Sequence, residues 1–482
     1  MAASRCFLSY IFIALLLVTG SLHSAKGAER LPNIIVIYND DQGYGDVGCY
    51  GAKGFKTPNM DRLAREGTRY TNFHVSQPVC SASRASLLTG CYSPRVSIHG
   101  ALGPRATHGI HDRETTIAEV LKTRGYATGM AGKWHLGHLP QAPCVTASMN
   151  TTASPFQRYV AVSQRPETPG LSRSPPVRRE KVIDSDVTVE DQRHPTTKAN
   201  RAVQFIEKNK ERPFFFYLAN TMPHVPLFVS DKYQDKSEQG RYGDVIEEID
   251  WGIGQILETL DRLKLADNTF IMMSSDNGPW LSYGNHGGSA GPLREGKGTC
   301  WEGGVRVPCL IRWPGKIPAG AVNDRMWMTI DLLPTLAGRV GASLPALHID
   351  GEDVWPLISG NPKAANPHEA YFYWYEQSQL QAVVSGDGHW KLQFPHVYRT
   401  LNGGPGGKDG MPVRYESKTI TAPELYDLQN DVGETKDVAA AHPDIVHRLT
   451  ALAETMRDEL GDTLTKKVGK DVRLPGQVQA KK

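Results

Sequence analysis

The chain has 482 residues, more than one small core organises, so two or three domains, or one large α/β domain with an appendage, are expected. It is 40% hydrophobic and 22% charged, with a net charge of +3 and no long acidic or basic block, which excludes a disordered chain and points to no nucleic-acid partner. An anionic substrate stays open, because a few cations focused in one cleft bind one.

In chain order, Arg5 precedes the apolar run FLSYIFIALLLV, residues 7–18, and Ala25 and Gly27 frame a cut before Ala28. This reads as a signal peptide over residues 1–27. The run is short for a membrane span, with an uncleaved anchor as the alternative, and no second apolar run is long enough to cross. Cleavage removes Arg5 and Lys26 and leaves a charge of +1. The mature chain is expected to be secreted or periplasmic, without stable membrane insertion. Cys6 leaves with the signal, and the remaining six cysteines form no CxxC pair, against zinc-ribbon and thioredoxin chemistry. Export permits disulfides, and Cys300 with Cys309 is the first pair to test.

NIIVIYND, residues 33–40, is an apolar run ending in acids and reads as a buried parallel strand. TPNMDRLAREG, residues 57–67, reads as a capped amphipathic helix. Helix then strand recurs at residues 114–125 and YATGMAGKW, at 196–210 and PFFFYLAN (213–220), and at 247–264 and NTFIMMSSDNG (268–278). The alternation predicts a doubly wound α/β sheet sandwiched by helices. Ligands bind beyond the carboxyl ends of such strands, where Asp40, Asp41, His224, Asp276 and Asn277 fall. The catalytic α/β domain is expected over residues 28–365. Short antiparallel strands at 371–377, 381–394 and 424–431, with a helix at 442–462, predict a smaller α+β domain over 366–482.

Several segments carry chemistry. Asp40 and Asp41 are consecutive acids that repel unless a cation lies between them. With Asp276 and Asn277 they offer hard oxygen ligands, which suit calcium or magnesium rather than zinc. Arg84, four residues after Cys80 in a predicted helix, faces the same side. Lys133 and His135, two apart in an extended chain, point the same way. His224, with a histidine's near-neutral pKa, suits proton donation to an alkoxide. Taken singly, Lys-x-His reads as solvated surface, each acidic segment as a turn, and Cys80 as a buried thiol.

Together, NDDQGYGD (39–46), CSASRASLLTG (80–90), GYATGMAGKWHLG (125–137), TMPHVP (221–226), SSDNGP (274–279) and REGKGTCWEGGVRVP (294–308) resemble, in order, the motifs of the sulfatase family. This is the arylsulfatase and N-acetylgalactosamine-6-sulfatase-like, formylglycine-dependent branch of the alkaline-phosphatase-like superfamily. Ala82 stands where most members have proline. The resemblance covers about residues 31–345 and continues weakly through ELYDLQNDVGETKDVA (424–439). It implies a mixed alkaline-phosphatase-like sheet and oxidation of Cys80 to formylglycine by a formylglycine-generating enzyme during maturation. It also implies a calcium ion held by Asp40, Asp41, Asp276, Asn277 and the modified Cys80. In that pattern Arg84 stabilises the nucleophile, Lys133 and Lys297 contact sulfate, His135 bonds a formylglycine hydroxyl, and His224 is the general acid. A hydrated aldehyde carries two hydroxyls on one carbon: one attacks sulfur and the other later collapses to expel sulfate, splitting one hard step into two. Two lysines, an arginine and a divalent ion would stabilise charge on the sulfuryl oxygens. For His74, His99, His111, His138 and His286 a structural or surface role is preferred, with His286 and Arg306 the exceptions to examine.

Residues 142–176 match nothing in the family and read as a substrate-specific or disordered loop. A second reading is a local frameshift. Codons allowed for PCVTASMNTTASP, residues 143–155, read two bases out of frame, can give L-R-H-G-F-D-E-(H/Y)-Y-G-(I/L)-P, close to a family segment. Met149 and Asn150 force the glutamate. The normal frame returns before Lys181.

The expected activity is hydrolysis of sulfate esters of a small molecule or a polysaccharide. The alternatives are a phosphodiesterase or phosphonate hydrolase of the same superfamily, and a catalytically impaired sulfated-glycan binder.

Overall fold

The computed structural model describes residues 30–103, 106–137, 150–154, 177–178, 181–182 and 195–477. Its centre is a ten-stranded mixed sheet. The strand Asn33–Asn39 lies between Phe214–Ala219 and Thr269–Ser275 and is parallel to both, and Ala127–Lys133 extends the parallel set beyond Phe214–Ala219. Asn33–Asn39, Phe214–Ala219 and Thr269–Ser275 carry apolar runs through their centres because both of their faces are covered. Ile35, Ile37, Phe214, Phe216, Leu218, Ile271 and Met273 pack with residues of the helices Pro58–Glu66, Pro195–Asn209 and Arg241–Arg262. The alternate residues Ile34, Val36, Tyr38, Phe215, Tyr217 and Met272 face the opposite way, toward the helices Cys80–Thr89 and Leu332–Val340. Each such side chain, fully buried, contributes roughly 1.5–3 kcal/mol.

The expected helices and strands form, with shifted ends. The long helix begins at Arg241, six residues before the predicted start, and the helix predicted from residue 114 is the short Ile117–Lys122, held at its start by a Thr116–Glu119 capping box. Toward one edge, Cys309–Arg312 runs antiparallel to both Thr269–Ser275 and Thr68–Tyr70, and Ala321–Asn323, parallel to Thr68–Tyr70, ends the sheet.

The C-terminal region forms a four-stranded antiparallel sheet, Ala370–Tyr375, Gln379–Ser385, Trp390–Gln393 and Glu424–Asp427, with the helix Pro443–Leu460 against it. The single strand expected over 381–394 is two, split by the turn through Gly388 (φ +75°). A separate hairpin, His396–Thr400 with Glu416–Ile420, was not foreseen. Its core is continuous with that of the large sheet.

Two sequence expectations need correction. Cys300 and Cys309 are not paired: both are free, buried thiols, as is Cys91. Cys309 is held inside the sheet between Tyr70 and Ser274. Lys133 and His135 do not share a face by strand alternation, because the strand ends at Lys133 and His135 takes a left-handed φ of +56°.

The expected signal peptide lies outside the described residues. So does the anomalous stretch 142–176, except for Asn150–Ser154, which pairs parallel with Gly129–Lys133. Among the described residues no helix is long and apolar enough to cross a membrane.

Candidate active site

The carboxyl ends of the central strands deliver the acids. Asp40 follows the strand Asn33–Asn39, and Asp41 has a left-handed φ of +67°. That turn breaks the alternation by which neighbouring side chains would diverge and brings both carboxylates to one place. Asp276 and Asn277 follow Thr269–Ser275, the adjacent strand. Asp41 N–H donates to Asp276 Oδ1 (3.1 Å), and Asn277 Nδ2 donates to Asp41 Oδ1 (2.8 Å).

Cys80 is the first residue of the helix Cys80–Thr89, where unpaired N–H groups and the helix dipole favour negative charge. Its thiol donates to Asp40 Oδ1 at 3.4 Å and lies 4.0 Å from Asp41 Oδ1. Burial, reinforced by the Asp276 charge, raises the Cys80 pKa well above the ordinary thiol value, so the thiol itself is a poor nucleophile. One turn on, Arg84 reaches Asp276 Oδ2 (2.9 Å through Nε), the carbonyl of Lys133 and the hydroxyl of Tyr217.

Two lysines neutralise the acid pair from opposite sides. Lys133 Nζ donates to Asp40 Oδ2 (2.6 Å), and Lys297 Nζ donates to Asp41 Oδ1 (2.5 Å) and to Cys80 Sγ (3.4 Å). Gly132, just before Lys133, has φ +108°, and a Cβ there would collide with the Ala219 carbonyl, so only glycine lets the strand reach this point. Burial opposes ionisation of Asp40, yet Lys133, with His224 and Arg84, holds its carboxyl below the ordinary range. For Asp41, Lys297 and His224 overcome burial in the same way.

His224 sits 3.8 Å from Asp41 Oδ2 through Nε2, while Nδ1 meets the Val225 carbonyl at 2.5 Å. The near-neutral titration expected for it is not what its surroundings give. Burial first, then the Lys297 charge, push its pKa down to about 4. His135 is buried, with Nε2 2.8 Å from the Leu102 carbonyl, and burial and Lys133 hold it well below the ordinary value.

The structure therefore brings together Asp40, Asp41, Cys80, Arg84, Lys133, His224, Asp276, Asn277 and Lys297. Of the other candidates, Arg306 serves the Thr71 carbonyl and Glu302, and His74 is bonded to Asn72 and Tyr373. Sequence reasoning missed Trp280. Its ring takes the Lys297 ammonium 4.5 Å from its centroid and meets the His224 ring edge-on at 5.5 Å. Its place directly after the matched SSDNGP segment was the available signal.

Asp40, Asp41, Cys80 and His224 could together hold a metal ion. Asp41 Oδ2 and Asn277 Oδ1 are buried without a hydrogen-bond donor, and such oxygens are what a hard divalent cation satisfies.

An α/β sheet whose strand ends bury carboxylates, two lysines and a cysteine at the start of a helix defines a class, the hydrolases of anionic esters. Residues 32–342 match the family model described as Sulfatase, 366–474 that of the C-terminal region of aryl-sulfatase, and 296–393 that of N-sulphoglucosamine sulphohydrolase, C-terminal. The chain is 34% identical to arylsulfatase A of Homo sapiens, over 90% of this chain and 89% of that protein. It is 32% identical to N-acetylgalactosamine-6-sulfatase of Canis lupus familiaris, over 91% and 88%. The crystal structure of Ps i-CgsB in complex with k-i-k-neocarrahexaose superposes with a TM-score of 0.71 at 28% identity, covering 89% of this chain and 93% of that one. The chain belongs to the sulfatase family and is a sulfatase. With curated relatives named as sulfatases, the phosphodiesterase alternative is not favoured.

Proposed function

We propose that this sulfatase cleaves sulfate esters of a carbohydrate through a formylglycine made from Cys80, with calcium held by Asp40, Asp41, Asp276 and Asn277. The observation that carries the reading is the setting of Cys80 Sγ, within 4.0 Å of Asp40, Asp41 and Lys297 at a helix N-terminus. The sulfur stands in for the oxygens of the hydrated aldehyde, one of which would attack sulfur while the other later collapses to release sulfate. The orphaned oxygens of Asp41 and Asn277 support a cation, which when bound supplies Lewis-acid polarisation of the sulfuryl group. Lys133 and Lys297 face the sulfuryl oxygens as charge develops. Arg84, through Asp276 and Asp40, keeps the carboxylates aimed. His135 orients a hydroxyl of residue 80.

His224 delivers the proton to the leaving alcohol. A bound sulfuryl anion offsets the charge of Lys297, the cation that depresses His224 most, and lifts the imidazole from about 4 toward the range where it donates. A glycan substrate is supported by the carbohydrate complex of the structural relative, with an aryl sulfate serving as reporter.

Mass spectrometry of the peptide containing Cys80, after expression with a formylglycine-generating enzyme, tests the nucleophile together with nitrophenyl sulfate turnover. The expected result is an aldehyde at residue 80 and a turnover that Cys80→Ala abolishes without unfolding the protein. An unmodified thiol, or full activity in Cys80→Ala, would sink the assignment.

A further inference from the structure

Lys297 belongs to the large domain, but its main chain is held by the C-terminal hairpin. Its N–H donates to the Pro279 carbonyl (2.9 Å), and the next N–H, of Gly298, donates to the Pro78 carbonyl (2.9 Å). These bonds tie the segment to Asn277 on one side and to Cys80 on the other. The remaining polar group, the Lys297 carbonyl, accepts from Arg399 of the strand His396–Thr400, through Nε at 3.0 Å and through Nη2.

Arg399 is itself braced. Its guanidinium lies over the Tyr415 ring, 4.7 Å from the centroid, and the Tyr415 hydroxyl accepts from Ser282 N–H (3.1 Å). Gly407 and Val413 N–H groups both donate to the Ser282 carbonyl, and Thr400 Oγ1 donates to Glu295 at 2.5 Å. The hairpin thus grips both segments that flank the Lys297 side chain: the turn following Trp280 and the stretch 295–298. Gly298 completes the fit. It has φ +76°, and a Cβ there would fall inside the Arg399 guanidinium.

We propose that Arg399 is a positioning residue: by fixing the Lys297 peptide it aims the Lys297 ammonium across Trp280 at the sulfuryl group. The proposal rests on Lys297 being a sulfate-binding cation. Its chemistry follows from geometry. A lysine side chain has four rotatable bonds and a compact charge, so the direction in which its Cα–Cβ bond leaves the backbone decides where the ammonium dwells. Misplacement of a positioned group by about 1 Å can cost on the order of a hundredfold in rate.

The test uses the full-length protein carrying Arg399→Met, which removes the donors at similar length, and Arg399→Lys, which keeps one. Tyr415→Phe loosens the hairpin but leaves Arg399 in place. Inorganic sulfate binding is measured by calorimetry, and kcat and KM for nitrophenyl sulfate are measured beside melting temperature and formylglycine content. For Arg399→Met, sulfate affinity should weaken about tenfold and kcat/KM fall by about ten- to a hundredfold, with KM and kcat both affected. Arg399→Lys should recover most of the loss, and Tyr415→Phe should lower the melting temperature while leaving sulfate affinity unchanged. Sulfate affinity within twofold of wild type in Arg399→Met, or losses in every variant that merely follow the melting temperature, would overturn the proposal. A wild-type protein that binds sulfate but turns over no ester would count against the proposed function instead, and the sulfate titrations would still decide Arg399.

Discussion

Three carboxylates and three cations meet in a site from which water is largely excluded, and the pairing is specific. Lys133 ends on Asp40, Lys297 on Asp41, and Arg84 on Asp276. Charges this deeply buried are tolerated only when each is matched. His224 is the exception, kept neutral by burial and by Lys297, and its role can be read from the leaving group. In His224→Ala, alkyl sulfates should lose on the order of 10²- to 10⁴-fold in kcat, and nitrophenyl sulfate far less. Equal losses on both would argue against proton donation. The sign of the pH effect follows: a general acid must hold its proton, so for alkyl sulfates kcat/KM falls as pH rises above about 4. The fall in kcat should come at higher pH, because the bound anion raises the imidazole. Coincident limbs in a pH–rate series would remove this argument. The candidate site residues were legible in the sequence because Cys80, the acid pairs and the lysines each lie in a segment whose order and residue types are unusual. Trp280 and Arg399 were not, since an indole under an ammonium or a guanidinium on a carbonyl has no signature until the fold brings them there.

At the scale of elements, the buried parallel strands were readable from their apolar runs, and the helices from their spacing and caps. The hairpin His396–Thr400 with Glu416–Ile420 escaped notice because four of the five residues in its second strand are exposed, leaving no apolar pattern to read. The split of 381–394 escaped because a tight glycine turn joins two buried strands. A buried ion cluster ties the C-terminal sheet to the helix Glu302–Val305. Lys391 Nζ meets Glu302 at 2.8 Å and Glu434 at 3.1 Å, all three side chains fully buried. Lys391→Ala takes away the cation shared by both carboxylates, leaving Glu434 without one and Glu302 with Arg306 alone, and should destabilise the protein by about 3–5 kcal/mol in denaturant unfolding, and a cost under about 1 kcal/mol would mean the cluster is not stabilising. The segment 142–176 makes its own prediction. The coding sequence across it, read two bases out of frame, should encode the HGFD-containing segment, and an alternative frame without HGFD would leave the stretch as a loop peculiar to this chain.

For the molecule as a whole, the proposed cation site joins strands distant in sequence, so occupancy should be felt in global stability. Adding calcium after chelation is expected to raise stability by about 2.7 kcal/mol at a hundredfold excess over Kd, seen as a higher melting temperature, with magnesium giving less. A melting temperature indifferent to calcium would argue against an oxygen-ligated ion at Asp40, Asp41, Asp276 and Asn277. One feature of the finished fold also constrains how it is made. Cys80 is 2% exposed, roofed by Lys297 and backed by a helix whose ten residues are all buried. An oxidising enzyme cannot reach that sulfur without dismantling the strand ends around it. Under the proposed maturation, conversion therefore belongs to the growing or still-open chain, and folding sets its deadline: each molecule that closed first would be trapped as a correctly shaped thiol form without the proposed nucleophile.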